Sequence, residues 1–308
     1  AVDYFFSLLI AQLNRRIAYK NQSNYDTLYK IAQGRYTLGK IAENELLQLE
    51  LNLLKSDAEV ENAELNYENR FFTFKSYLRL QGDFQVELIP PVITPEFVIT
   101  PERAIEEAKN NTAEGLEFKR RLLEAESEVD RAKTEGRFNA ELYAVFGLTQ
   151  TADEIQTSYM NPLDEERVQL GITVPILDWG RARGNIKMAE SNQDLVKTAV
   201  EQDIIDFGQN VFINVMEYNM QKRQLFIAAK SDTVAQKRYE VTQKRYMIGK
   251  INDVLELRMA QLDSDNSKVG YYQSLMTYWR IYYEIRKITL YDFQRNMPIS
   301  LSIDDLIE

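Results

Sequence analysis

Two short segments of this chain carry the same hydrogen-bonding side chains in the same order. GRYTLGKI at 34–41 and KRYMIGKI at 244–251 share an Arg-Tyr pair and a Gly-Lys-Ile triplet, each 210 positions apart. Glycine suits the left-handed residue that ends a helix, and a lysine after it favours the C-terminal end of the helix dipole. Neither arginine nor tyrosine is needed to close a turn. Their duplication indicates a role beyond the turn, and plain turns between antiparallel helices are the alternative interpretation.

The composition excludes most catalytic chemistry. The 308 residues include no histidine and no cysteine, so the commonest general base, a thiol nucleophile and a thiolate metal site are all ruled out. A carboxylate-based hydrolase would need two acidic residues converging in a pocket, and no paired motif indicates one. We expect no enzymatic activity, no cofactor and no metal site. The net charge of −10 also argues against nucleic acid as a partner.

The elements that must position the twin turns are long helices. The chain has only 12 glycines and 7 prolines, and they cluster. No apolar run reaches ~18 residues, so we expect no transmembrane helix, and the first residues are typical of an amphipathic helix rather than a signal peptide. The segments with helical periodicity and no proline interruption are 1–33, 43–80, 101–135, 181–246 and 252–293. The fourth of these would be about 100 Å long.

A seven-residue apolar repeat follows each turn. A strict heptad stripe keeps one seam facing a neighbour only when the helices supercoil. Each repeat therefore predicts a helix, a glycine turn and an antiparallel return helix, which gives two helical hairpins with one tip each. The stripes are Leu46, Leu53, Val60, Tyr67 and Phe74 after the first turn, and Leu255, Leu262, Val269, Met276 and Tyr283 after the second.

Between the hairpins the periodicity changes to two. Apolar and polar residues alternate from Phe138 to Thr149, with Val145 as the exception, and again from Val168 to Val174. Alternation over about ten residues indicates a strand with one apolar and one polar face. Two interpretations stay open at this point. The strand pair covers a soluble core, or it is a slice of a membrane barrel that other chains or a missing part of this chain must complete.

The order of these features carries a family resemblance. A strand ending in VPILDWGRARGNI, at 174–186, leads into the longest helix, which reaches RYMIGKINDVLE and then a return helix containing YWRIYYEIRKITLYDF. From Phe5 to Phe293 this succession resembles the TolC family of outer-membrane factors. The resemblance implies a mainly α fold of long antiparallel coiled-coil hairpins that form an α-barrel tunnel. A small β-hairpin would contribute to a trimeric outer-membrane β-barrel.

On this template the chain has five parts. The family's first repeat also has a leading helix and a strand pair, which would precede the first residue. We therefore expect an N-terminally truncated fragment that lacks about the first third of a family member. The parts are a first-repeat helical hairpin at 1–80 with its tip at 34–41, an inter-repeat linker, equatorial segment and helix at 81–136, a barrel strand pair at 137–176, a second-repeat hairpin at 177–293 with its tip at 244–251, and a C-terminal tail at 294–308.

The function that the resemblance implies is a passive export duct. Family members are homotrimers in the outer membrane, with helices projecting into the periplasm, and serve tripartite efflux pumps or type I secretion systems. The implied partners are a periplasmic adaptor (membrane fusion) protein, an inner-membrane transporter and outer-membrane lipid. The alternative is a soluble helical-bundle scaffold that binds other coiled coils through its tips. A soluble protein should cover both faces of the strand pair, whereas an outer-membrane factor should leave one face to lipid.

The resemblance also assigns residues. Adaptors of the family dock on the hairpin tips, and acidic residues of a DVLD motif ring the tunnel entrance, which corresponds to DVLE here. The sequence departs from the family by two fewer residues between Gly249 and Asp253, so it lacks a basic residue that bonds the closed state. A solvated acidic helix face is the competing interpretation of the gate. The predicted sites are the adaptor-contact tips Arg35, Tyr36, Gly39, Arg245, Tyr246 and Gly249, the acidic gate Glu45, Asp253 and Glu256, and the lipid-facing strand residues Phe138, Leu142, Phe146, Leu170 and Ile172.

Overall fold

The computed structural model describes residues 1–82, 86–91, 94–95, 97–137, 139–151, 162–174, 176–250 and 253–299. The mainly α fold with a small β-hairpin is confirmed. Contacts divide the chain into two compact units, one of Ala1–Ala108 with Asn210–Glu308 and one of Lys109–Gln209. The elements are α1 (Val2–Thr37), α2 (Glu43–Tyr77), α3 (Pro101–Asn111), α4 (Ala113–Glu135), β1 (Asn139–Thr149), β2 (Leu163–Thr173), α5 (Arg181–Met247), α6 (Val254–Thr289), β3 (Tyr291–Asp292) and β4 (Met297–Pro298).

The core of the first unit near the two tips forms around one face of α1. Its buried positions Asn21, Tyr25, Leu28 and Ala32 recur every three or four residues, which places them on one side of a helix. Together with Leu49 from α2, this face packs against residues of the other hairpin. The partners from α5 and α6 are Tyr239, Tyr246, Val254, Leu257 and Ala260. The two hairpins therefore share one core at this end.

The buried stripe of α6 differs from the predicted heptad. Leu255, Leu262 and Tyr283 are exposed, while the neighbouring positions Val254 and Leu257 are buried. The heptad of α6 therefore does not coincide with its buried stripe, whereas Leu46 and Leu53 of the first heptad pack against the core. The physical reason is that α6 packs against α1 as well as α5, and this places the intramolecular core on a different side of the helix.

Away from the tips, tyrosines fill the core of the first unit. The hydroxyls of Tyr218 and Tyr278 lie 3.2 Å apart, and Tyr278 donates to the carbonyl of Pro95 at 2.6 Å. The rings of Phe97 and Tyr282 surround Tyr218. Burial is the main cause that raises the pKa of Tyr218 above its ordinary value. These tyrosines are packed core residues whose hydroxyls bond within the protein.

Two side-chain amides hold the connection between α2 and α3. Gln12 donates to the carbonyl of Leu88 at 3.3 Å and accepts from its N–H at 3.1 Å. Asn219 makes the same pair of bonds with Ile99, at 2.9 and 3.4 Å. Each amide satisfies the backbone of an extended segment that has no neighbouring strand at that residue. The connection is thereby attached to α1 at one point and to α5 at another.

The segment 101–135, which the periodicity predicts as one helix, is divided into α3 and α4. The Thr112 hydroxyl accepts from the N–H of Gly115 at 3.2 Å and so caps α4. A Cβ atom at Gly115 would lie 2.0 Å from the carbonyl oxygen of Lys109, so no larger residue fits this corner. The prediction of one uninterrupted helix is wrong because a cap and a glycine together form a break.

A carboxylate caps the start of α5. The carboxylate of Asp178 accepts from the N–H groups of Gly180 at 3.0 Å and Ala182 at 2.9 Å. These backbone bonds, above all the one from Ala182, lower the pKa of Asp178 below its ordinary value. The helix that begins there runs for 67 residues without interruption.

The two tips have identical backbone hydrogen bonds. In each, the glycine N–H bonds to the tyrosine carbonyl and the lysine N–H to the arginine carbonyl, at 2.8 and 2.9 Å in the first tip and 3.0 Å for both in the second. This is the Schellman pattern, which requires a left-handed residue after the helix. Gly39 has φ +67° and Gly249 has φ +73°. The duplicated sequence therefore closes a duplicated turn.

We expect that Gly39→Ala or Gly249→Ala lowers the free energy of unfolding by about 1–2 kcal/mol, because a left-handed backbone disfavours any Cβ atom. An added Cβ would meet no atom within 4 Å at either position, so the cost isolates backbone strain. Urea denaturation followed by circular dichroism measures it. Gly34→Ala is the matched control, since Gly34 lies inside α1 with equally open space and should be neutral or stabilising. Equal losses at all three positions would contradict the assignment.

Candidate functional site

Arg35 links the tip of the first hairpin to the tip of the second. Its Nη2 atom donates to the carbonyl of Tyr246 at 3.0 Å and to that of Met247 at 2.8 Å. Both carbonyls belong to the last turn of α5 and form the negative end of its helix dipole, and that of Tyr246 also accepts the turn bond from the N–H of Gly249. The guanidinium carbon also lies 5.2 Å from the centre of the Tyr246 ring. The C-terminal end of α5 is thus capped by a side chain from the first hairpin.

The twin residues do not have twin environments. The side chain of Tyr246 is fully buried, whereas Tyr36, its counterpart, is 41% exposed. Arg35 is half-buried, whereas Arg245 is exposed and lies 4.0 Å from the carboxylate of Glu256. One half of the duplicated Arg-Tyr motif therefore faces inward and the other half faces outward. The two glycines of the tips are exposed and open on all sides.

The three predicted gate residues occupy the starts of the two return helices. Asp253 caps α6, since its Oδ1 atom accepts from the N–H groups of Leu255 at 2.8 Å and Glu256 at 3.2 Å. Glu45 lies in the first turn of α2. Burial is the main cause that raises the pKa of Tyr246, and the negative charge of Glu45 raises it further. Within the described part of the chain, no three acidic side chains converge closely enough to hold a metal ion. Asp253 and Glu256 share the first turn of α6, and Glu45 lies in the first turn of α2.

A polar cluster lies where the two tips meet. Burial raises the pKa of Tyr246, while the side chain of Arg35, which lies against that ring, lowers it. Oε2 of Glu45, whose charge also raises the pKa of Tyr246, is buried and has no hydrogen-bond partner among the described residues. An unpaired buried polar group costs about 1–3 kcal/mol. The site is therefore polar, partly closed and incompletely satisfied.

A polar layer that the sequence pattern did not predict lies between the hairpins. Asn21 donates to the carboxylate of Asp265 at 2.7 Å, and Asn24 donates to the hydroxyl of Tyr239 at 3.3 Å. Burial raises the pKa of Asp265 above its ordinary value, against the lowering effect of the bond from Asn21. Burial likewise raises the pKa of Tyr25 to about 12. Asparagine on the buried face of α1 is the signal that could have revealed this layer, since a polar residue in an apolar stripe fixes register.

The strand pair leaves its apolar face uncovered. β1 and β2 are antiparallel, with Leu142 opposite Leu170 and Phe146 opposite Glu166. The side chains of Leu142, Phe146, Leu170 and Ile172 are between 66% and 72% exposed. Towards the loop that joins the strands, Leu148 lies opposite Asp164, so the apolar face ends in carboxylates. The predicted lipid-facing residue Phe138 lies outside the described residues.

Comparison with known proteins identifies the family. The sequence model described as outer membrane efflux protein matches residues 116–277, which is more than half of the chain. This chain belongs to the outer membrane efflux protein family. The predicted resemblance to the TolC family is confirmed. No curated protein matches the chain by sequence.

Solved structures of outer-membrane channels share the fold of this family member. The Campylobacter jejuni CmeC outer membrane channel is 19% identical with a TM-score of 0.65, and the match covers 99% of this chain and 63% of that one. The outer-membrane channel OprN is 18% identical with a TM-score of 0.68, covering 95% and 65%. The Vibrio cholerae outer membrane protein VceC is 12% identical with a TM-score of 0.65, covering 94% and 68%.

The chain spans less than two thirds of the length of CmeC and OprN. At these identities the likeness shows the fold, which is that of TolC-like channels. Among the described residues, none of the helices combines the length and the apolar character needed to cross a membrane.

We expect that Arg35→Ala lowers the free energy of unfolding by about 1.5–3 kcal/mol, because two charge-assisted hydrogen bonds to the end of α5 are lost. Amide hydrogen exchange in the last turn of α5 should rise with it, since that turn loses its cap. Arg70→Ala is the matched control, because Arg70 is an exposed arginine on α2. A loss of stability without faster exchange near Met247 would contradict a capping role.

Proposed function

We propose that this chain is part of an outer-membrane duct of a tripartite efflux pump or a type I secretion system. Membership of the outer membrane efflux protein family supports efflux directly. The proposal places the strand pair in the outer membrane and the helical hairpins in the periplasm. The duct is a passive, non-enzymatic conduit that an adaptor and an inner-membrane transporter open.

The observation that carries the proposal is the uncovered apolar face of the strand pair. A soluble scaffold would lose about 25 cal/mol for each Å² of apolar surface that it leaves in water. Alternating strands with one apolar face are stable when lipid covers that face and neighbouring strands satisfy both edges. The carboxylates of Asp164 and Glu166 at the loop end of the same face mark where the apolar band stops. This favours the membrane interpretation over the soluble scaffold.

A homotrimer would supply the missing strands. Two strands cannot close a barrel, and open edges are not stable in a bilayer. Three copies of the chain would bring three such strand pairs together in one sheet. The same assembly would surround a tunnel with helical hairpins, in agreement with the fold shared with outer-membrane channels.

The hairpin tips are the surface that we propose for the periplasmic adaptor. Arg35 and Tyr246 face inward, so they support this surface rather than contribute to it. The outward part consists of the turns around Gly39 and Gly249, where the absence of a side chain allows a partner backbone to approach closely. The neighbouring turn residues Leu38 and Ile248 are exposed and apolar, which suits contact with the end of a partner hairpin.

The acidic residues at the tips are proposed as a cation-selective entrance. A threefold axis would bring together the carboxylates of Glu45 and Glu256 from each copy, and rings of carboxylates attract cations and exclude anions. Asp253 differs from them, because one of its oxygens already caps α6. The selective role is therefore assigned to Glu45 and Glu256 first.

The strand proposal predicts a one-sided effect of charge. Leu142→Arg should strongly reduce the amount of trimer recovered from the outer membrane, because an arginine facing lipid costs about 2–4 kcal/mol near the middle of the bilayer. Gln169→Arg is the matched control, since Gln169 lies on the opposite face of the same strand pair and should be tolerated. Equal recovery of both variants would contradict the membrane placement and favour the soluble scaffold.

The gate proposal predicts a change in ion selectivity. The double variant Glu45→Gln with Glu256→Gln should reduce the cation-over-anion permeability ratio of single channels in planar lipid bilayers, because up to six charges leave a threefold ring. Glu68→Gln is the control, since Glu68 is an exposed carboxylate elsewhere on α2. An unchanged ratio in the double variant would assign these carboxylates to an ordinary solvated helix face.

A further inference from the structure

The Arg-Tyr turn occurs twice in the chain, but only one of its two arginines bonds to the end of the other hairpin's helix. Both tips contain the same arginine, the same tyrosine and the same turn hydrogen bonds. Arg35 of the first tip reaches the carbonyls at the end of α5. The equivalent contact would join Arg245 of the second tip to the carbonyls of Tyr36 and Thr37 at the end of α1. No described bond joins these residues within the chain.

Burial follows the same division. Tyr246 is fully buried and its counterpart Tyr36 is 41% exposed, and Leu257 is 1% exposed while its counterpart Leu47 is 54% exposed. The formed contact takes its arginine from the first hairpin and its buried Tyr and Leu from the second. The open set is the reverse, with an exposed arginine on the second hairpin and an exposed Tyr and Leu on the first. The exposed arginine and the exposed Tyr and Leu are complementary to each other, but they lie on surfaces that take no part in the contact within the chain.

We propose that a second copy of this chain completes the open contact. Arg245 donates to the carbonyls of Tyr36 and Thr37 of the partner subunit, and Tyr36 and Leu47 of the partner subunit become buried against it. The inference rests on the proposed homotrimer and names the seam that joins its subunits at the tips. Such a head-to-tail contact uses two different surfaces on each copy, and it closes when the ring is complete.

The charges of the open set suit this contact. The end of α1 carries the negative end of a helix dipole, and a guanidinium is the side chain that best donates to several carbonyls at once. Glu256 lies 4.0 Å from Arg245 and lines the same exposed surface. The formed contact shows that an arginine at this position of the motif can cap a helix that ends in the same turn. A partner with the same Arg-Tyr turn is available in another copy of the chain.

The second copy is a better occupant than the adaptor for these residues. An adaptor would need to present a helix end to Arg245 and a pocket to Tyr36 and Leu47 at the same time. The chain already contains both surfaces, at matching positions 210 residues apart. The adaptor surface around the tip glycines remains free in this arrangement.

Chemical cross-linking tests the seam, and the absence of native cysteine makes the experiment clean. The protein is expressed in the outer membrane of a Gram-negative host with Thr37→Cys and Arg245→Cys and is treated there with a short bismaleimide. We expect covalent dimers and trimers on denaturing gels, with peptides around positions 37 and 245 joined by the reagent. The control pair is Arg35→Cys with Met247→Cys, which should be joined within one chain and keep the mass of a monomer.

The native mass in detergent, measured before cross-linking, separates the possible failures. A trimer in which the first pair gives only monomers, while the control pair reacts, overturns the seam and leaves the duct intact. A native monomer overturns the homotrimer of the proposed function itself. A product that joins position 245 to an adaptor instead of a second copy also overturns the seam.

A second pair of variants keeps the test decisive if the cysteines disturb folding. Arg245→Glu places a negative charge against the end of α1 in the partner subunit and leaves the Arg35 contact intact. We expect a several-fold lower fraction of trimer surviving in mild detergent at a given temperature, with Arg245→Lys retaining most of it. Full trimer survival in Arg245→Glu would contradict the proposal.

Discussion

The contact between one face of α1 and the second hairpin is the interaction on which the described tip region depends. Its centre is apolar, with Leu28 and Ala32 fully buried, and burial of this surface supplies the driving force. Its ends are polar, with Asn21 bonded to Asp265 at one end and Arg35 bonded to the end of α5 at the other. Apolar packing alone would let two helices slide past each other. The polar ends fix the register, as single polar residues do in coiled coils.

Fixing that register has a consequence for the tips. A helix that ends in a glycine turn has carbonyls without helical partners, and in this chain the second tip receives Arg35 from the first. Because each hydrogen bond contributes only about 1 kcal/mol net, contacts of this kind can be exchanged at modest cost. A tip held by hydrogen bonds from an arginine, with a carboxylate oxygen of Glu45 unpaired among the described residues, suits the proposed duct, in which partners would open the entrance. An entirely apolar tip would be harder to open without exposing core residues to water.

The strand pair and the helical hairpins differ in how their backbone hydrogen bonds are satisfied. Each helix satisfies its own backbone and needs neighbours only for its apolar face. The strands satisfy their backbone only through neighbours, so a lone pair has two open edges as well as an uncovered face. The amide clamps of Gln12 and Asn219 solve the same backbone problem for the connection between α2 and α3 within one chain. For the strand pair the proposed solution is lipid and further copies.

The sequence by itself determined the elements whose cause is local. The glycine turns, the cap at Asp178, the strand alternation and the 67-residue helix all follow from neighbouring residues, and the structure contains each of them. The break between α3 and α4 was also local, but its signal lay in the pairing of Thr112 with Gly115 rather than in periodicity. Only the tertiary structure decided which of the two duplicated arginines faces inward. Arg35 and Arg245 occupy the same position of the duplicated Arg-Tyr turn, so the motif itself does not separate them. The choice arises because only one side of each hairpin can face the other within a chain. The buried side of α6 was decided in the same way, since packing against α1 overrode the heptad that its own sequence suggests.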